Sequence, residues 1–331
     1  MKAFAYVNPA NEKEAVAALK IEGGGVAMPI GGGQDLLSRM KDYVISVDRI
    51  VNIKSALDST IVAQGGGLKI GAAVKMVDLA ANAQVQRLYP NVSAAAIEVG
   101  TPQIRHQGTV GGNINQRPRC WYYRNEEFLC YKKGGNRCFA PGGENQYHAI
   151  FGNSGPSHIV HPSSLAVPFV GYNAKFRVLG PNGEREVAAA DFFTMPTLQN
   201  VRKENVLADD ELLTHVILPA PTGTLKHGHY EVRYKASHDW PLTFASVVLG
   251  MQGNTIQSAR VIMGAVAPTP WRSEDAERAL VGKPLNEETA AAAGEAAVRG
   301  AQPLTRNGYK VQVAKTAVKR AVMKAAGLRT V

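Results

Sequence analysis

The chain has 331 residues, more than one hydrophobic core usually serves, so two domains are expected. Hydrophobic residues make up 45%, ordinary for a soluble globular protein, and no apolar run approaches the roughly 18 residues of a membrane span. The net charge of +10 is uneven: no acidic residue follows Glu295, whereas Arg299, Arg306, Lys310, Lys315, Lys319, Arg320, Lys324 and Arg329 do. No nucleic-acid-binding motif accompanies this charge, so it reads as a solvated helix face or a surface for a more acidic subunit. The opening residues Met1 to Tyr6 carry no apolar secretory segment and no twin arginine, so a cytoplasmic location is expected.

In chain order, Glu12 to Lys20 reads as a short helix, and Val26 to Ile30 as a strand running into three glycines. Asp35 opens a helical turn. Val44 to Val47, the stretch around Val51-Asn52-Ile53, and Leu68 to Ala72 are predicted strands. Lys75 to Gln84 and Asn91 to Val99 have helical periodicity. Short strands alternating with short helices indicate a mixed α/β layout for this first part. From Gly111 to Pro162 glycine, proline, arginine and aromatic residues dominate and no period survives, which marks a functional loop. Regular pattern resumes with a helix from Ser164 to Gly171 and strands at 174–179 and 213–218. Residues 219–223 form a linker. Three further strands at 229–235, 244–251 and 256–263 follow, the last two joined by a Gly253-Asn254 turn. Helices at 273–281, 287–299 and 308–326 complete the chain.

Two glycine-rich loops stand out. Gly31-Gly32-Gly33-Gln34-Asp35 follows a strand, and glycine lets backbone N–H groups close on an anion. The loop is neither the spaced-glycine dinucleotide fingerprint nor a P-loop, and by itself it is equally a tight turn. The second, Gln103 to Ile114, contains Thr109-Val110-Gly111-Gly112-Asn113 and joins a backbone anion site to side-chain donors, a strand-to-turn passage being the alternative. Two such loops fit a ligand with a central pyrophosphate and two ends.

The pair resembles the FAD-binding subunits of the xanthine dehydrogenase and carbon monoxide dehydrogenase family. There the first loop reads roughly Gly-Gly-Thr-Asp-Leu and the second roughly Arg-Asn-Gln-Ala-Thr-Ile-Gly-Gly-Asn. Here they are Gly32-Gly33-Gln34-Asp35-Leu36 and Arg105-His106-Gln107-Gly108-Thr109-Val110-Gly111-Gly112-Asn113. The family's Ser-Asp-Leu-Ala appears as Ser163-Ser164-Leu165-Ala166, a serine replacing the acid. The likeness continues through Leu212 to Pro219 and Val261 to Arg272.

The resemblance implies an α+β chain. Residues 1–221 would form a two-lobed FAD-binding domain of the PCMH, vanillyl-alcohol-oxidase-like type, and 222–331 a C-terminal domain with a three-stranded antiparallel sheet and helices. It implies FAD contacts at Pro29, Ile30, Gly31, Gly32, Gly33, Gln34, Asp35, Leu36, Ile104, Arg105, Thr109, Gly111, Gly112, Asn113, Ser164, Leu213 and Lys235. It further implies a molybdenum-cofactor large subunit, a small subunit with two 2Fe-2S clusters, and an acceptor such as NAD, oxygen, a quinone or a ferredoxin. The flavin carries the redox chemistry, so no catalytic acid or base is expected in this chain. The alternatives are a scaffold subunit that has lost its flavin and a free-standing FAD oxidoreductase.

Three cysteines, Cys120, Cys130 and Cys138, are odd in number and clustered, which suits a metal or cluster site better than a disulfide framework. The segment of about 116–158 resembles an insertion of the family subgroup typified by 4-hydroxybenzoyl-CoA reductase and periplasmic aldehyde oxidoreductase, which binds a 4Fe-4S cluster through four cysteines. Here Ser157 stands at the fourth position, with His158 and His161 close by. A cluster with a serine, histidine or solvent ligand, a three-iron form, and a loop without a cluster all remain open. Arg117, Arg119, Arg124, Lys132, Lys133 and Arg137 either offset a cluster's charge or form a basic surface patch. Core packing is the expected fate of Trp121.

Overall fold

The structure is a computed structural model that describes residues 1–235 and 238–330. Three sheets follow one another along the chain. Strands β1 (Ala5–Val7), β2 (Ala27–Ile30) and β3 (Arg49–Asn52) form a parallel sheet in the order β1-β3-β2. Parallel pairing needs a crossover between strands. The helices Glu12–Leu19 and Leu36–Lys41 supply them. The first is capped by Asn11, whose side chain accepts the Glu14 N–H at 3.0 Å. β2 delivers the chain to Gly31 at its carboxyl end, where open parallel sheets place their ligands.

The second sheet is antiparallel and contains β4 (Ile61–Gln64), β5 (Gly67–Gly71), β6 (Lys175–Gly180), β7 (Gly183–Ala188) and β8 (Leu212–Leu218), in the order β4-β5-β8-β6-β7. β4 and β7 escape the sequence reading. Both are edge strands with largely exposed residues, so neither shows an apolar pattern. The stretch Val44 to Val47 is not a strand. The predicted 75–84 helix is two helices, Met76–Ala81 and Ala83–Leu88, divided at Asn82, whose carbonyl side chain caps the second through the Gln84 and Val85 N–H groups.

The third sheet contains β9 (Thr224–Val232), β10 (Thr243–Gln252), β11 (Thr255–Gly264) and the two-residue β12 (Trp271–Arg272), in the order β12-β11-β10-β9. Three strands were expected, and β12 adds a short fourth. The helices Glu274–Leu280, Glu287–Ala297 and Tyr309–Ala325 follow this sheet, and the last packs on β9 so closely that a Cβ at Gly228 would fall on the Ala321 carbonyl. β10 is buried on both faces. Ala245, Val247 and Leu249 join the C-terminal core, whereas Phe244 and Val248 join the core of the first 221 residues. Asn91 reinforces that seam by donating to Ser246 Oγ and Val247 O, both at 2.9 Å.

Between the second glycine loop and β6, residues 116–158 contain only the helical turns Trp121–Arg124 and Tyr131–Lys133. Hydrogen bonds from the C-terminal part hold this insertion. Lys310, fully buried, donates from Nζ to the carbonyls of Tyr147, His148 and Ala265 at 3.3, 3.0 and 2.6 Å. Asn307 donates to His148 O and Ala149 O at 3.1 and 3.0 Å. Tyr122 packs against Phe128 and Phe139, while Trp121, expected in a core, is a third exposed and donates to Glu144 O at 3.0 Å.

The basic tail is largely paired within the chain. Lys319 meets Glu287 at 3.0 Å, Arg306 meets Glu144 at 2.7 Å, Lys315 pairs with Glu295, and Arg320 lies over the Tyr230 ring. Among the described residues, no helix is long and apolar enough to cross a membrane.

Candidate functional site

The two glycine loops touch. A Cβ at Gly32 would fall on the carbonyl oxygen of Gln107, and one at Gly31 would come within 2.8 Å of Thr109 Oγ1. Gly33 sits at φ 71°, a left-handed conformation that favours glycine. Glycine is therefore required here for close approach of one loop to the other as well as for turning.

The loops differ in what their amides do. In the second, Val110 N–H donates to Val74 O, Gly111 N–H to Ala72 O and Asn113 N–H to Thr109 O, all between 2.8 and 2.9 Å. Gly112 N–H is taken by Thr109 Oγ1 at 3.1 Å. The backbone anion site expected there is thus already satisfied internally. Its glycines serve packing, since a Cβ at Gly111 would lie 2.9 Å from that of Ala72. In the first loop, among the described residues, no partner is found for the N–H groups of Gly32, Gly33 and Gln34. Three successive amides without partners form a nest of the kind that holds phosphate oxygens.

Both loops open on one cleft of about 1050 Å³. That is at the upper end of small-molecule pockets, roughly 300–1,000 Å³, and suits an extended dinucleotide. Its lining includes Pro29, Ile30, Gly31, Gly32, Gly33, Gln34, Asp35, Leu36, Ile104, Thr109, Gly111, Gly112, Asn113, Ser164 and Leu213. Arg105 and Lys235 do not line it. Arg105 instead donates to Val99 O at 3.0 Å, and Lys235 is exposed, its N–H bonded to Asp239 at 3.0 Å. Asn113 faces Ser163, which donates to its Oδ1 at 2.7 Å. Free amides, a close-approach cradle and the cleft together fit FAD.

Arg39, Glu204, Glu231 and Trp240, which sequence reasoning missed, also line the cleft. Asp35 is the shared counter-ion of three guanidiniums: Arg39 at 3.2 Å, Arg119 at 2.7 Å and Arg124 at 2.6 Å. Burial alone would raise its pKa, but Arg119, Arg124 and Arg39 hold it below the ordinary carboxylate value. Glu204 likewise pairs with Arg117 and with Lys132, the latter at 2.5 Å. The insertion's basic residues were expected to offset a cluster or to form a surface patch. Four of them instead hold two carboxylates at the cleft. Arg119 also stacks over Trp240, 4.3 Å from the ring centroid. Glu231 lines the cleft from β9, with Arg233 Nε at 3.2 Å, and burial pushes its pKa up to about 8. The crowding of arginines was visible in the sequence, but the partners lie 80 or more residues away along the chain.

Cys120, Cys130 and Cys138 are free thiols. They lie close enough for the charges of Cys138 and Cys130 to act on Cys120, whose pKa burial pushes up to about 12. The nearby backbone N–H groups of Tyr123 and Tyr122 act against burial by lowering the pKa of Cys120, and those of His158 and Ala140 do the same for Cys138. Ser157, buried, precedes one of those donors. His148 Nε2 lies 3.2 Å from Cys120 Sγ, a neighbour that sequence spacing did not single out. Among the described residues, no group of three or more His, Cys, Asp or Glu side chains is arranged to hold a metal ion.

Comparison with known proteins agrees with this layout. The family described as "FAD binding domain in molybdopterin dehydrogenase" matches residues 2–221, and "CO dehydrogenase flavoprotein C-terminal domain" matches residues 228–325. The chain is similar to the aldehyde oxidoreductase FAD-binding subunit PaoB of Escherichia coli (strain K12), with 34% identity over 95% of this chain and 96% of that one. It is 29% identical to the carbon monoxide dehydrogenase medium chain of Hydrogenophaga pseudoflava, over 96% of each chain. A solved structure of the carbon monoxide dehydrogenase from Hydrogenophaga pseudoflava superposes with a TM-score of 0.76 at 28% identity, covering 98% of each chain. The fold and the cleft define a two-part flavoprotein subunit of the α+β class. The chain belongs to the FAD-binding subunits of the xanthine dehydrogenase and carbon monoxide dehydrogenase family, and so is an oxidoreductase subunit.

Proposed function

We propose that this chain, with residues 1–221 as flavin domain and 222–331 as C-terminal domain, relays electrons through FAD within a three-subunit molybdenum hydroxylase. Its partners would be a large subunit with the molybdenum cofactor and a small subunit with two 2Fe-2S clusters. Collinear likeness to one chain described as an FAD-binding subunit and one described as a medium chain, over nearly their full length, supports this reading. The first glycine loop carries it, because its unpartnered amides face a cleft large enough for the dinucleotide. Bound FAD would supply the two-electron chemistry. Gly32, Gly33 and Gln34 would hold phosphate oxygens through their amides, Leu36, Ile104 and Leu213 would line the cavity, and the Thr109 to Asn113 turn would press on the first loop. The three free thiols support a reducing, cytoplasmic compartment. NAD, oxygen, a quinone and a ferredoxin are the acceptor classes to assay.

The gathered thiols, two of them beside backbone N–H groups that favour the thiolate, also suit a 4Fe-4S cluster, whose four-iron core spans more space than a single ion. Cys120, Cys130 and Cys138 would ligate it, with Ser157 as fourth ligand and His148 as the nearest competitor. Purification of a tagged chain from its native host tests both readings. Flavin absorption and co-purification of a large and a small subunit are expected. A colourless chain recovered alone would overturn the relay. About four irons and four acid-labile sulfides per isolated chain are expected for the cluster, and none would leave the cysteines structural.

A further inference from the structure

The insertion and the first glycine loop meet at a single carboxylate. Asp35 immediately follows the three free amides and is bound by Arg39 of its own helix and by Arg119 and Arg124 of the insertion. The Arg117 N–H also donates to Asp35, at 3.2 Å. Three guanidiniums against one carboxylate leave a surplus of two positive charges, and all three line the cleft. Arg119 Nε and Arg124 Nη1 are buried with no partner among the described residues. Unsatisfied buried donors are costly, and a cationic surplus in a cleft attracts an anion. The FAD pyrophosphate carries two negative charges, and the amides that would receive it adjoin Asp35.

We propose that the insertion is part of the flavin site: Asp35 positions Arg119 and Arg124 so that their guanidiniums neutralise the FAD pyrophosphate, in addition to the glycine-loop amides. Asp35 is then a positioning residue and not itself a flavin contact. This gives residues 116–124 a role whether or not the cysteines hold a cluster. It rests on FAD binding by the chain.

The test is flavin titration of the deflavinated full chain, followed by quenching of flavin fluorescence, with FAD and with riboflavin at several salt concentrations. For Arg119→Gln and Arg124→Gln the FAD dissociation constant is expected to rise at least tenfold. The dependence of log Kd on log salt should become shallower, and riboflavin, which lacks phosphate, should bind as in wild type. Arg119→Lys should restore most of the FAD affinity and the salt slope. Circular dichroism and thermal midpoints establish that each variant is folded. Should Arg124→Gln fail to fold, Arg119→Gln decides, because Asp35 there keeps Arg39 and Arg124. Unchanged FAD affinity and salt slope in folded Arg119→Gln overturns the proposal, as does equal weakening of FAD and riboflavin. Failure of the wild-type chain to bind FAD would instead overturn the relay function.

Discussion

At the scale of single residues, the glycines do two different jobs. Gly32 lets the Gln107 carbonyl approach the first loop, so Gly32→Ala must force the loops apart. A loss of FAD affinity of at least tenfold is expected with thermal stability changed little, checked by flavin content and differential scanning calorimetry. His161 shows how burial sets a pH response. Its ring packs on Phe193, and Nδ1 accepts the Ser163 N–H at 3.3 Å. Burial, with Lys132 as a lesser cause, lowers its pKa to about 3 from 6.5. A depressed histidine pKa means the unfolded chain binds the extra proton. Stability is therefore complete above pH 6.5 and falls as pH drops towards 3, by roughly 1.4 kcal/mol per unit. Urea unfolding at pH 7 and pH 5 should show wild type losing about 2 kcal/mol more than His161→Gln over that interval. Equal losses would place the acid sensitivity elsewhere. Neither response was legible in the sequence, where Gly32 is one of three like neighbours and His161 stands only as a histidine near the fourth position of the cysteine set.

At the scale of elements, Lys310 starts the last helix and yet serves the insertion. It faces three carbonyls, the number of donors an ammonium carries, and burial lowers its pKa to about 7. Lys310→Met leaves those carbonyls unpaired in a dry setting and should cost roughly 2–3 kcal/mol. The loss would be read as a lower urea midpoint, with protease cuts appearing first near Tyr147. The sequence reading took Lys310 as one of eight tail charges. Helical periodicity places it only on a face, and the carbonyls it meets come from Tyr147 and His148, over a hundred positions away, and from Ala265, 45 positions away. Elements whose patterns come from one buried face, such as Glu12–Leu19 and Pro90–Glu98, were read nearly in place. The helix break at Asn82 was missed because both halves keep an apolar face while one side chain caps the second.

At the scale of the whole molecule, the division into two domains understates their dependence. β10 sends alternate side chains into two cores, so a separately expressed 222–331 fragment would expose Phe244, Val248 and Ile262. Such a fragment should be soluble only transiently and bind a hydrophobic dye such as ANS. A monomeric fragment with a cooperative melt would show that the shared face is dispensable. The insertion bridges the same two parts, through Asp35 and Glu204 on one side and Lys310 and Asn307 on the other. Its shape is thus secured by charge pairs and aromatic packing that do not involve the cysteines.

The amino-acid order by itself determined the family, the two glycine loops, the grouping of the cysteines and the periodic elements. Each of these is written in local spacing or in a collinear pattern. Tertiary structure alone decided which loop keeps its amides free, which carboxylate the insertion's arginines seek, and that β10 serves two cores. The reason is physical. A hydrogen bond or ion pair depends on separations of about 3 Å between groups far apart along the chain, and neither periodicity nor composition records which distant group arrives. The glycine loops were therefore legible as a pair. Only the tertiary structure shows that the first keeps its amides free while the second presses against it.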